Sequence, residues 1–325
     1  YNVYHQWDHS NPMFREYVKK NLEYLIKEYK VDGFRFDLSK GFTKDPYKIE
    51  SYNSERVGYL KEYRNHIKSV DPNAVMICEH FVEDENYDLA RAGIKVWRNM
   101  NESFRESAMG WMSNASFEGL RDTNLPFGTL VGYMEGHDEE RMMASAEAYG
   151  TDMVKASYEL RLDRAGINAA FFLLTPGPKM IWQFGELGYD FSINANDSGV
   201  VGTGDEYRTH RKPIRWDYYE DVNRRALYDA MSKFVAWRTD NEDYYGEDNL
   251  AVHTWAVGDV NMSGKVLVMD KVIVVANFTN AESTTTINVP NTGEWTNLMT
   301  DEKVQLGSSH SFTLGASDYI VLVKE

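Results

Sequence analysis

Three short apolar runs in this chain each lead into a carboxylic acid, and each is followed by a stretch long enough for a helix. Residues 31–36 lead into Asp37, residues 74–78 into Glu79, and residues 129–134 into the pair His137-Asp138. A mainly apolar run of this length reads as a buried strand, and strands alternating with helices predict a parallel sheet. Barrels of such units gather their active sites at the carboxyl ends of the strands. One acid means little among 50 Asp and Glu. The same placement on three successive strands constrains both fold and chemistry. In Gly33-Phe34-Arg35-Phe36-Asp37 the arginine and the aspartate are two residues apart, so they leave a strand on the same side. A neighbouring cation favours the ionised carboxylate that a nucleophile needs. Taken alone, the pair reads equally well as a structural ion pair at a sheet edge.

In order and spacing these segments resemble the second, third and fourth conserved regions of the α-amylase family of retaining α-glucan hydrolases. The G-F-R-x-D signature comes first, then a lone acid at the end of the next strand, then the His-Asp pair. The resemblance implies that Asp37 is the nucleophile, Glu79 the general acid/base and Asp138 the third carboxylate. It also implies that Arg35, Lys40 and His137 face the substrate. The segments Phe184-Gly185-Glu186-Leu187-Gly188-Tyr189-Asp190 and Arg211-Lys212-Pro213-Ile214-Arg215-Trp216-Asp217 resemble the region of the family's last barrel strand. Two departures stand out. Gly41 follows Lys40 where the family has a histidine, and no counterpart of the first conserved region precedes Asp37. Residues 2–9 look more like the tail of the loop domain that follows the family's third barrel strand.

Counting elements agrees with that gap. Amphipathic spacing predicts a helix over residues 13–29, started by Asn11-Pro12, and others near 54–70, 83–92, 102–121, 152–174 and 221–238. Strands are expected to end near Phe36, Cys78, Met100, Met134 and Phe184. This makes five β/α units where a complete barrel needs eight. After residue 243 the composition changes to short β-branched runs at 252–257, 266–269, 272–278, 284–289 and 319–323, the pattern of an antiparallel sandwich. The expected fold is therefore α/β: the C-terminal five units of a (β/α)8 TIM barrel over residues 1–243, then an all-β sandwich domain over 244–325. A barrel short of three strands exposes two sheet edges. Self-association and weak or absent activity of the chain by itself are expected on that ground.

The net charge of −15 disfavours nucleic acid, whose phosphates need a basic face. No stretch is long enough to span a membrane. Secretion or the cell surface suits a polysaccharide hydrolase, and a cytoplasmic place stays open; a leader or lipid anchor would lie upstream. Eight histidines without a His-x-His or His-Glu-x-x-His pattern predict no metal ligands here. No cofactor is expected, although calcium is compatible with the complete enzyme. Cys78, the single cysteine, is expected to pack as an apolar residue inside a strand. Tyr4, His5, Trp7 and Trp97 are aromatic residues on which a sugar could stack, whereas Trp255 and Trp295 read as core. Glu135, Glu139 and Glu140 read as solvated or structural neighbours of the His-Asp pair.

The expected partner is an α-glucan, with α-1,4-linked starch and maltooligosaccharides as the default. Pullulanase, cyclodextrin hydrolase and glucanotransferase activities use the same carboxylates and remain alternatives. A glucan-binding protein without turnover is another alternative.

Overall fold

The structure is a computed structural model that describes residues 7–122, 124–246, 256–259 and 264–325. Tyr4, His5, Trp255 and most of the first expected sandwich strand lie outside the described residues. The chain forms two compact units, one of residues up to Arg98 with Asp122–Val131, the other of Asn99–Arg121 with Gly132–Glu325.

In the first unit α1 spans Pro12–Tyr29. Asn11 accepts a hydrogen bond from the Met13 N–H, and Pro12 opens the first turn, where a missing N–H costs nothing. The helix ends at Lys30, whose left-handed backbone (φ 56°) returns its N–H to Ile26. Strand β1 (Gly33–Phe36), α2 (Ser54–Val70), β2 (Val75–Cys78), α3 (Glu83–Arg91) and β3 (Lys95–Asn99) follow. Strands β1 and β2 pair in parallel from Gly33 opposite Val75 to Phe36 opposite Cys78. Gly33 is required there, because a Cβ would sit 2.2 Å from the Val75 carbonyl oxygen. Behind the strands Leu22, Ile26, Leu60, Tyr63, Met76, Leu89 and Val96 form one buried cluster with Cys78. Burial pushes the Cys78 thiol up to about 12, so it packs rather than reacts.

Strand β4 (Leu130–Tyr133) receives the Val96 N–H through Thr129, and the Met100 N–H reaches the Tyr133 carbonyl. The parallel order is β1-β2-β3-β4-β5, with β5 at Lys179–Met180. In the second unit α4 (Asn101–Met109), α5 (Met142–Tyr149), α6 (Asp152–Ala156), α7 (Tyr158–Leu174), α8 (Val222–Asp240) and α9 (Glu242–Tyr245) are the helices. The single helix expected over 152–174 is broken. Ser157 has extended backbone and its hydroxyl caps the Leu160 N–H, which starts α7 anew. Strand β5 is also shorter than the expected run to residue 184, because the chain turns and Phe184 adopts a positive φ of 56°.

The C-terminal strands are β6 (Ala256–Asp259), β7 (Gly264–Val268), β8 (Val272–Asn277), β9 (Ser283–Asn288), β10 (Gly293–Asn297), β11 (Lys303–Leu306), β12 (Ser309–Leu314) and β13 (Asp318–Val323). One sheet has the order β11-β10-β13-β8-β7-β6 and a second pairs β12 with β9. Trp295 packs with Ile273, Val275, Phe312 and Leu322, and its indole N–H donates to the Asn291 carbonyl at 2.8 Å. It is a core residue. Arg164 of α7 is buried and joins helix to sheet, donating to the Ser107 and Phe278 carbonyls at 2.9 Å each. The fold is a partial TIM barrel continued by an antiparallel β region.

Candidate active site

In the first unit Arg35, Asp37 and Glu79 converge where β1 and β2 end. Arg35 Nη1 hydrogen-bonds Asp37 Oδ1, while Nη2 lies 2.8 Å from Glu79 Oε1 as an ion pair. One guanidinium therefore faces both carboxyl groups, and its own plane lies over Trp97, 4.1 Å from the ring centre. The two acids differ in surroundings: the Asp37 side chain is 76% exposed, that of Glu79 only 11%. Burial raises the Glu79 pKa from its ordinary value. The Leu38 N–H, donated to Glu79 Oε2 at 2.9 Å, and Arg35 oppose that rise; the charge of Asp37 and a hydrogen bond with its carboxyl add to it. The environment thus favours one proton on the inner acid beside an exposed partner.

Lys40 is ion-paired with Glu50 at 2.8 Å, and its carbonyl accepts a hydrogen bond from Arg56. Trp97 lies under Arg35. Trp7 is exposed and stacks on Phe14, with ring centres 4.9 Å apart. Sequence reasoning missed the buried groups beneath the two carboxyls, His80, Glu85, Arg56 and Ser39. His80 and Glu85 were visible as an i, i+5 pair, but only the fold brings Arg56 and Ser39 to them.

In the second unit His137 Nε2 lies 3.1 Å from Asp138 Oδ2. Arg208 holds the same aspartate, with Nη2 2.6 Å from its carbonyl oxygen and 3.2 Å from Oδ1. Arg208 is 70 residues away in sequence, and nothing in its local pattern marks it. A cavity of about 360 Å³ is lined by His137, Asp138, Trp182, Phe191, Arg208 and Lys212, among others. The neighbouring acids are structural. Glu135 is buried against Arg141 at 2.8 Å, Glu139 accepts from Asn99 at 2.7 Å, and Glu140 accepts from the Ile193 N–H at 2.8 Å.

The two later motif segments lock the same loops. Asp190 is held by Arg224 and by the Tyr218 hydroxyl. The Lys212 ammonium donates to the carbonyls of Ala195, Tyr207 and Arg208 at 2.9, 2.7 and 3.2 Å. Among the described residues no group of three or more His, Cys, Asp or Glu is placed to hold a metal ion. Among them, too, no helix is long and apolar enough to cross a membrane.

No protein-family model matches the chain. Among curated proteins, the cyclomaltodextrinase of Thermoanaerobacter pseudethanolicus is 20% identical over 244 residues, covering 72% of this chain and 35% of that protein. Neopullulanase 2 of Thermoactinomyces vulgaris is 21% identical over 292 residues, covering 86% and 44%. The chain thus spans between a third and a half of the length of these relatives. Among solved structures, a pullulanase from Anoxybacillus sp. LM18-11 complexed with maltotetraose superposes with a TM-score of 0.68 at 17% identity, covering 97% of this chain and 47% of that one. An α-amylase from H. orenii gives 0.68 at 18%, covering 98% and 66%. In the ordered motifs of β1, β2 and β4 and in the partial barrel that carries them, the chain is similar to these α-amylase-family proteins.

Proposed function

We propose that the chain carries the reacting carboxyls of a retaining glycoside hydrolase acting on α-1,4-glucans. The observation that supports this most is the single guanidinium of Arg35 facing both Asp37 and Glu79, with the pKa of the buried acid raised. A guanidinium shared by both carboxyls supports a short spacing between them. Retaining enzymes work with about 5–5.5 Å between the two groups, whereas inverting enzymes leave roughly 6.5–9.5 Å for a water.

In the proposed cycle an Asp37 oxygen attacks the anomeric carbon as the glycosidic C–O bond breaks. Glu79 gives its proton to the departing oxygen, leaving a glycosyl ester on Asp37. Glu79, now anionic, takes a proton from water. That water attacks the same carbon, frees Asp37 and retains the configuration. Asp138 and His137 enter the reading through the His-Asp motif, as groups for sugar hydroxyls. Lys40 would serve the substrate only after exchanging its bond to Glu50. The relatives named above include a structure holding maltotetraose, which supports a glucan as the substrate class.

The test is hydrolysis of maltoheptaose by the chain and by Asp37→Asn and Glu79→Gln variants, with mass spectrometry of the protein after exposure to an activated fluoroglycoside. Each variant should lose on the order of 10⁴-fold or more in rate, and a single sugar adduct should map to Asp37. An Asp37→Asn variant as active as the parent, or an adduct elsewhere, would sink the assignment.

A further inference from the structure

The end of β2 holds more buried polar structure than two surface carboxyls require. His80, which directly follows Glu79, is fully buried, as are Ser39, Glu85 and Arg56. His80 Nδ1 lies 2.9 Å from Ser39 Oγ, and Nε2 lies 2.6 Å from Glu85 Oε2. Glu85 also accepts from Arg56, Nε at 3.0 Å and Nη2 at 2.6 Å. The other Arg56 donors go to main-chain carbonyls of Lys40, Lys48, Ile49 and Ser51. Burial favours the neutral ring of His80. Its remaining proton then belongs on Nε2, facing the Glu85 carboxylate, and Nδ1 accepts from the Ser39 hydroxyl.

Ser39 is where this network meets the two reacting strands. It lies two residues past Asp37, its N–H donates to the Glu79 carbonyl at 2.9 Å, and its hydroxyl is 3.1 Å from that same oxygen. One residue earlier, the Leu38 N–H binds the Glu79 side chain, and Leu38 adopts a positive φ of 38° in doing so. The loop after the nucleophile is thus joined to the acid/base residue at both its main chain and its carboxyl. Apolar residues of similar volume would stabilise a core as well as this Arg-Glu-His set, or better, because charged groups are costly to bury. Packing does not account for it.

We propose that Ser39 and His80, braced by Glu85 and Arg56, are positioning residues that fix the separation and orientation of Asp37 and Glu79. Their meaning for turnover rests on the glycosidase reading above; their geometric effect does not. Loosening this brace lets Glu79 move toward water and away from Asp37, and the loss of burial, the largest influence on it, outweighs the loss of the Leu38 hydrogen bond.

The experiment uses the full chain with ¹³C-labelled glutamate carboxyls, the Glu79 signal being identified by its absence in Glu79→Gln. Its titration midpoint is followed by NMR in the parent, Ser39→Ala and His80→Gln, with thermal melts of each and kcat and KM on maltoheptaose. Ser39→Ala removes one oxygen, so the variant is expected to stay folded. In both variants the Glu79 midpoint should fall toward that of an exposed glutamate. Where the parent turns over, kcat should drop about 10–100-fold, the scale of a misplacement near 1 Å, with KM within twofold. A midpoint that stays at the parental value in both folded variants overturns the proposal. So does a parental kcat in an active chain. A parent that hydrolyses no glucan, as is expected of a barrel short of three strands, while Ser39→Ala still shifts the midpoint, would support the brace independently of the glycosidase reading.

Discussion

The two strand ends that carry the motif acids are built differently. At β1 and β2 the carboxyls stand on a fully buried network of Arg56, Glu85, His80 and Ser39, all tied to main chain or to one another. At the His137-Asp138 end the side chains are 42% and 49% exposed, and Asp138 is held by Arg208 and its own histidine neighbour. Strength of support follows what each position must do. In the proposed reading a nucleophile and its acid/base need a fixed mutual geometry, whereas a group for sugar hydroxyls tolerates a looser, half-exposed setting.

The contrast can be broken from either side. Glu85→Ala should be the most damaging change, because it strands the Arg56 and His80 groups in the core. About 3–5 kcal/mol of stability should be lost, read as a lowered denaturant midpoint. A loss under about 1 kcal/mol would show that the buried network is not under load. Arg208→Ala should leave stability within about 0.5 kcal/mol, since its partner is half exposed. It should instead raise KM for maltoheptaose several-fold with a smaller effect on kcat. Equal damage from both variants would erase the distinction drawn here.

The smallest effect concerns acid. His9 is buried against Phe42, with ring centres 3.7 Å apart, and its Nδ1 pairs with the Tyr63 hydroxyl at 2.8 Å. Burial holds its pKa down at about 4 against 6.5 in the unfolded chain. The unfolded chain therefore takes up a proton first, so this contribution is complete above about pH 6.5 and is lost as the pH falls toward 4. Thermal melts of the parent and His9→Gln over that interval should show the parent's melting temperature falling more steeply. Parallel curves would remove His9 from the account.

Much of this was legible beforehand where local chemistry decides. Asn11-Pro12 placed the start of α1, and α2 runs over Ser54–Val70 as its spacing predicts. The G-F-R-x-D run set Arg35 and Asp37 side by side. Strands β10, β11 and β12 were not legible, because their outward residues are Ser, Thr, Lys and Gln and each buries few apolar side chains, such as Trp295, Leu306 and Phe312. The break at Ser157 hides inside a helical pattern that continues through it. Helix α5, rich in Met and Ala, has only a weak amphipathic signal and was missed. Arg208 and the His80 network escaped because their roles come from residues 70 and 41 positions apart, a separation that no periodicity reports.

Gly33 carries a consequence beyond its own strand. Its bare Cα lets β1 lie against the Val75 carbonyl, and the register then runs unbroken to Phe36 opposite Cys78, one residue short of Asp37 and Glu79. The pair of strands acts as a caliper whose jaws are Asp37 and Glu79 and whose hinge is a hydrogen atom. At roughly 3.3 Å per residue, that hinge lies some 13 Å from Asp37. A methyl group there would push β1 off the Val75 carbonyl, and the shared register would carry that shift to the gap between the jaws.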